Sequence, residues 1–504
     1  VLFNSFEFIF IFLPLLCVIF GFFHKKASLN VLLLGSFVFY AYHSISNLCL
    51  LISSISFNFV ISKYIKNNKL VLFLAVSANI ALIIYFKYYN FIAQNLSHIL
   101  AVQIPYQDKA LPLGISFFTF QQIAYLVDSY YGNYADRNFR SFALLVSFFP
   151  HSIAGPLVQY KDVAPQFAKV GISLENLSIG GTIFIIGLFK KIIIADGIAP
   201  SVNAIFDAAG LGIIPSFAES WFGAIGYTLQ LYFDFSGYSD MAIGLARMFN
   251  VHFPINFNSP YKAASIIDFW HRWHMSLSKF LRDYLYIPLG GNRHSRYRNL
   301  LLTMLIGGLW HGANWTFILW GFLHGIYLII NHLWRDLLKK LGLTSNKSIS
   351  YQVLSWILTI FCVIISWVLF RSDSLETAIV IYQSMFGFHG ISVSPTLLDI
   401  IPEFNFINYE GFFKNQLFYV WDYLPAFVSS IIICLCLPNI KNLFVNYVKF
   451  EKDFSNFNIQ SADLDTSLRW VPSQAYAILM AIMTIWIILA LLSSRKIEFL
   501  YFNF

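Results

Sequence analysis

Charge is what this sequence has least of. Asp, Glu, Lys and Arg make up 12% of its 504 residues, about half the share found in soluble domains. Together with a hydrophobic fraction of 58%, that scarcity excludes an ordinary soluble enzyme and points to a polytopic membrane protein. Cysteine is scarce too. Cys17, Cys49, Cys362, Cys434 and Cys436 all lie in apolar segments without metal-ligand spacing. Cys434 and Cys436 are too close for an ordinary disulfide, so the five read as small core residues. No internal repeat is visible, which leaves an inverted-repeat transporter without support. No soluble domain of useful size is present either, and the longest polar stretches, 389–422 and 439–470, read as loops. Residues 4–23 lack a basic leader and a small-residue cleavage site, so they read as a first transmembrane helix.

What is present is a succession of apolar runs, near 4–23, 28–44, 46–62, 70–87, 111–130, 141–158, 178–199, 216–249, 300–333, 351–370, 375–388, 423–438 and 474–492. Several are too short or too long for one straight span. The expected architecture is all-α, one integral membrane domain over 1–504, with about ten to twelve crossings plus re-entrant and interfacial pieces. Fifty-four Phe, 28 Tyr and 12 Trp suit lipid-facing surfaces and interfacial belts. The formal charge of +8 does not indicate nucleic acid, because the basic residues form short clusters between apolar runs. They read as cytoplasmic anchors for anionic lipid headgroups, or as a site for an anionic ligand.

Those clusters set the orientation. His24-Lys25-Lys26 closes the first run, and Lys63, Lys66 and Lys69 close the third, so both can be cytoplasmic with the N-terminus outside. The most basic segment, Lys262 to Arg298, has seven basic residues against Asp268 and Asp283, a net +5. It too is expected to face the cytoplasm.

Beyond it lies Trp310-His311-Gly312, in the middle of a run from Asn299 to Trp334 without a single charged residue. On a continuous helix His311 would sit roughly 20 Å beyond Arg298. A titratable imidazole at that depth is a functional-site hypothesis by default. The competing reading is a histidine that only hydrogen-bonds a neighbouring helix. Residues 266–287 read as one amphipathic helix. Trp270, Trp273, Leu277, Leu281 and Tyr284 share one side; His271, His274, Ser278 and Arg282 form a polar stripe. A plain interfacial helix would explain the apolar face and the positive charge, but not two histidines on the stripe. Pro288-Leu289-Gly290-Gly291-Asn292-Arg293 reads as a turn whose amides and arginine can hold an anion. Phe149 to Pro156, with two prolines and a glycine, reads as a re-entrant loop beside a cavity. Asp234 and Tyr238, one helical turn apart, read as a buried hydrogen-bonded pair. One HxxH at 271–274 with His311, His324 and His332 far apart lacks the ligand density of a membrane di-iron site, so no metal is expected.

The run Asp268-Phe269-Trp270, Arg272 to Leu277, Leu281 to Arg293 and Gly308-Leu309-Trp310-His311-Gly312-Ala313 resembles the membrane-bound O-acyltransferase family, in its bacterial alginate and peptidoglycan O-acetyltransferase branch. Phe3-Asn4-Ser5, Gly114 to Phe120, Ala154-Gly155-Pro156, Phe233 to Asp240, Phe370-Arg371 and the closing Phe499 to Phe504 extend it through nearly the whole chain, with the core motifs over about 111–333. The resemblance implies helices packed round a central pore in the bacterial cytoplasmic membrane. It implies His311 as the catalytic histidine and His274 as the second recurring one. Trp310, Asn314, Asp234, Tyr238 and Pro156 are the candidates for lining the pore. The implied donor is acetyl-CoA, with no permanently bound cofactor. The implied acceptor is an extracytoplasmic polysaccharide, reached through a separate exported partner enzyme. A related branch moves D-alanine onto teichoic acid.

The residues themselves suit that chemistry. A thioester is already activated, so position, a base and oxyanion stabilisation suffice. The +5 segment suits polyanionic CoA, with Arg282, Arg293, Ser278 and Trp273 as the candidate contacts. Whether His311 is a base or carries the acetyl group covalently stays open. The rival from another class is a carrier or flippase with a polar central cavity.

Overall fold

The computed structural model describes residues 2–23, 25–132, 138–153, 155–343, 348–392, 409–410, 415, 417–447, 468–493 and 500. His24, the side chains of Lys25 and Lys26, Ala154, the closing motif apart from Leu500, and most of the two polar stretches lie outside these. The described chain is helical, apart from paired two-residue strands at Ile391–Ser392 and Tyr409–Glu410.

Among the described residues, six helices are long and apolar enough to cross a membrane: Ile45–Ser62, Lys69–Leu100, Leu174–Gly210, Trp315–Lys340, Ile349–Arg371 and Gln474–Ser493. Three shorter apolar helices, Phe8–Phe22, Ala27–His43 and Val420–Cys436, add to them. Other deep elements fall outside that set for physical reasons. Ile115–Tyr130 and Arg296–His311 have 16 residues each. Phe217–Met248 carries Glu219, Asp234, Asp240 and Arg247, all buried.

Phe217–Met248 is the central post. It opens with a reciprocal cap: the Glu219 amide donates to Ser216 Oγ, and the Ser216 amide donates to the Glu219 carboxylate. That arrangement satisfies two otherwise orphan donors. It then runs buried on nearly every side, as a helix at the centre of a large protein does. Against it lies Leu174–Leu188, and glycine sets the distance. A Cβ on Gly180 would fall 2.5 Å from the Gly244 carbonyl, and one on Gly187 would fall 2.6 Å from that of Gly237. Both pairs repeat at seven residues, so the two antiparallel backbones touch along two full turns, as small residues allow inside membranes.

The uncharged run folds as a hairpin. Arg296–His311 ascends, Gly312–Asn314 turns, and Trp315–Lys340 returns. The ascending helix ends at His311 because Gly312 is extended and Asn314 caps the next helix, accepting from the Thr316 amide at 3.1 Å. A side chain at Gly312 would strike the Phe317 ring at 2.1 Å. Gly308 and Gly321 face each other, each leaving room for a backbone carbonyl of the other helix. These glycines bring the two arms together.

The two described basic clusters meet at one end of the molecule. Ile65 packs with Leu126 and Tyr130, and Tyr284 donates to Asp128 at 2.9 Å. Residues 63–69 and 282–298 therefore share a face, as positive-inside topology requires. Single cysteines at Lys66 and Asn292, both exposed, in a cysteine-free background should escape an impermeant thiol reagent in intact cells. They should react in inverted vesicles. Labelling of either in intact cells would reverse the orientation.

Candidate active site

The segment read as one helix over 266–287 is broken where the site forms. Ile266–Arg272 and Met275–Leu281 are separate helices, and His274 between them takes a left-handed backbone, φ +42°. The break is held by an extended segment. The Met275 amide donates to the Asn256 carbonyl at 2.9 Å, and Ser276 Oγ donates to Asn256 Oδ1 at 2.6 Å. The Asn258 amide donates to the Arg272 carbonyl at 2.9 Å. Ser276 Oγ in turn accepts from the Leu157 amide at 2.8 Å, which fastens the Phe149–Pro156 loop, buried at each of its described residues, to the same point. That loop is irregular backbone enclosed in protein, the setting such backbone needs at membrane depth. A left-handed non-glycine residue costs roughly 1–2 kcal/mol, and such strain concentrates at functional sites.

The break turns His274 inward. It is fully buried, with its ring 4.7 Å from Phe235 and 6.1 Å from Trp310. Neither ring nitrogen has a hydrogen-bond partner among the described residues. A buried unsatisfied polar group costs about 1–3 kcal/mol, and one in a native core calls for an explanation. His311 packs against the same tryptophan, 4.8 Å from the indole, boxed by Trp320 at 5.2 Å and Phe370 at 5.0 Å. The two histidines thus share contact with one tryptophan. The next histidine along, His324, is fully used: Trp270 donates to its Nδ1, which leaves Nε2–H for Ser366 Oγ at 2.9 Å. It is an interhelical hydrogen-bonding residue.

A cavity of about 680 Å³ opens between the hairpin and the two short helices. Arg282, Arg296, Arg335 and Lys339 supply cations against Asp336, and Trp270, Thr303 and Met304 are among the residues that line its apolar wall. Burial foremost, and then Arg335, Arg282 and Arg272 against the opposing Asp268, push the His271 imidazole below its ordinary value. Met304 stands seven residues before His311 on one helix, about 10 Å by helical rise. On this helix the cavity lining therefore ends roughly 10 Å short of His311.

A family model decides what this arrangement belongs to: that of the membrane-bound O-acyltransferases matches residues 18–372. The chain belongs to that family. The peptidoglycan O-acetyltransferase of Helicobacter pylori is 38% identical over 547 aligned positions, which cover 100% of this chain and 97% of the relative. The probable alginate O-acetylase of Pseudomonas aeruginosa is 41% identical over 401 positions, 77% of this chain and 75% of that one. The teichoic acid D-alanyltransferase of Bacillus subtilis is 29% identical over 252 positions, 47% and 62% of the two chains. The protein is a membrane acyltransferase.

Within this acyltransferase the expected site residues separate into three places. His311, His274 and Trp310 come together at the centre, with the buried Pro156 in the loop that Ser276 fastens. Ser278 and Arg282 line the basic cavity, as does His271. The remainder sit elsewhere. Trp273 is sealed in the core against Phe257, Tyr261, Phe269 and Trp367, because the break at His274 rotates it off the cavity wall. Arg293 is exposed in the turn and outside the cavity lining, where its neighbour Asn292 takes part. Asn314 serves as a helix cap, and its amide also donates to the Asp373 carbonyl. Asp234 is neutralised by Lys191 at 2.5 Å rather than by a hydrogen bond to Tyr238, and Tyr238 stacks on Phe3. No group of three or more His, Cys, Asp or Glu comes together as a metal site among the described residues.

Sequence reading missed Arg335 and Lys339, which only the return of the hairpin carries back to the mouth. Their spacing of four at the end of the uncharged run was the available signal. It also missed Lys87 and Tyr88, discussed below.

Proposed function

We propose that this acyltransferase takes an acetyl group from acetyl-CoA, docked at the basic cavity, and passes it at His311 toward an extracytoplasmic polysaccharide of the peptidoglycan type. The observation that carries the proposal is the cavity itself: four cations at the mouth, an apolar wall, and a paired-histidine centre about 10 Å further in. CoA is polyanionic and stays at the cytoplasmic face of the inner membrane. Only its acyl-bearing arm reaches in. The acceptor arrives from the opposite end through a separate exported partner. The near full-length likeness to the peptidoglycan enzyme favours that polymer over alginate, and the partial match to the D-alanyltransferase disfavours aminoacyl transfer.

In the proposed reaction His311 removes the proton from the acceptor hydroxyl as its oxygen attacks the thioester carbonyl. The tetrahedral intermediate collapses, the carbon–sulfur bond breaks, and the leaving thiolate takes the proton back. Base catalysis of this kind contributes about 10²–10⁴-fold. The aromatic box keeps water from the thioester. His274, whose ring nitrogens have no partner among the described residues, supplies a second polar contact to the reacting groups.

Purified protein given acetyl-labelled CoA together with a soluble glycan acceptor should release CoA thiol. A carrier or flippase would release none, and that result would sink the proposal. Arg282→Ala and Arg335→Ala should each raise KM for acetyl-CoA several-fold with kcat little changed, since phosphate contacts supply largely uniform binding. Arg293→Ala, outside the cavity, should leave KM alone. Added salt should mimic the first two variants. An unchanged KM in both cavity variants would place the donor elsewhere.

A further inference from the structure

The Lys69–Leu100 span carries a lysine in its middle, an expensive residue at membrane depth. Its ammonium donates to the Trp310 carbonyl at 2.7 Å and the His311 carbonyl at 2.9 Å. The next residue, Tyr88, donates its hydroxyl to the Leu309 carbonyl at 2.6 Å. The last four carbonyls of any α-helix have no partner within it, and here three of the four are taken by two neighbouring side chains. A cation at a helix C-terminus is also favoured by the helix dipole. The local backbone is adapted to the task. Residues Ile84–Tyr88 form a π-helical turn, whose wider spacing brings adjacent side chains closer to one face, and such turns concentrate at functional sites. The same face goes on to hold the far side of the hairpin tip. Phe91 packs against Trp315 at 5.8 Å, and the Trp315 indole donates to Asn95 at 3.1 Å.

We infer that Lys87 is a positioning residue for acyl transfer, its ammonium fixing the terminal turn that carries His311. Tyr88 assists it. The inference rests on the reading of His311 as the reacting base. Nothing in the structure puts Lys87 in the basic cavity, whose lining stops at Met304 on this helix. Its loss should therefore misplace the base without weakening the donor. A misplacement of 1 Å costs on the order of 10²-fold in rate.

The test uses the full chain in detergent, with acetyl-labelled CoA and a soluble glycan acceptor as the probes and thermal stability measured in parallel. Lys87→Met should lower kcat roughly ten- to a hundred-fold while KM for acetyl-CoA stays within about twofold, the pattern of an interaction felt only at the reacting centre. Lys87→Arg keeps N–H donors for the two carbonyls and should recover most of the rate. Tyr88→Phe should show a milder fall at constant KM. Normal kcat in Lys87→Met overturns the inference. So does a loss that merely tracks folded protein in both Lys87 variants, or a raised KM with kcat intact. If Lys87→Met is not obtained folded, Tyr88→Phe decides: an unchanged kcat there also overturns it. An inactive wild type would instead remove the acetyl-transfer reading beneath it, so the two failures are distinguishable.

Discussion

Replacing His311 with glutamine is expected to lower acetyl transfer by about 10²–10⁴-fold while the protein stays folded and membrane-inserted. Glutamine fills similar space and keeps hydrogen bonding, so the box of Trp310, Trp320 and Phe370 should close around it. It cannot accept a proton near pH 7. His311→Ala should be equally inactive. His274→Ala should retain more rate, because its ring is a second contact rather than the base. A histidine with only a structural role behaves differently: glutamine rescues, and activity falls in step with folded protein. Rates measured beside melting temperatures separate the cases. Near-normal turnover in His311→Gln would end the catalytic assignment and return weight to a carrier.

The second large effect belongs to the hairpin that places this histidine. Gly308→Ala would put a Cβ 2.3 Å from the Phe317 carbonyl, and Gly321→Ala would put one 2.3 Å from that of Met304. Neither obstacle is a flexible side-chain tip, so the helices themselves must part. Overpacking of this kind costs typically about 1–3 kcal/mol, and both variants should melt markedly lower and lose activity as His311 shifts. Gly181→Ala is the control. Nothing lies within 4 Å of its added methyl, and alanine is the better helix former. Its melting temperature should hold or rise. Equal behaviour of all three would contradict the close packing described for the hairpin.

Much of this was legible in the sequence, and the misses have causes. Low charge and long apolar runs mark a helical membrane protein because lipid leaves few other ways to satisfy a backbone. His311 was visible because an imidazole amid uncharged residues is costly. The position of His274 was visible, but its setting was not. Helical spacing put it on a stripe with His271, Ser278 and Arg282. Tertiary hydrogen bonds from Asn256 broke the helix and turned His274 alone toward the core. The same break explains why Trp273 left the cavity. Asp234 sought a partner within its own helix and found Lys191 on another element. Lys87 hid in an apolar run, and its role depends on a contact 223 residues away. Periodicity reports which residues share a face. It does not report which distant backbone that face will cap.

Sidedness offers the most direct measurement. Inverted membrane vesicles, with the cytoplasmic face outward, can be preloaded with peptidoglycan fragments and a periplasmic extract that supplies the exported partner, and given acetyl-labelled CoA from outside. Label should pass to the enclosed glycan, CoA thiol should appear outside, and vesicles carrying His311→Gln should do neither. Right-side-out vesicles given the same donor externally should stay silent. Transfer when acetyl-CoA meets only the extracytoplasmic face, or transfer that survives His311→Gln, would contradict donor entry through the basic cavity and acyl transfer at His311.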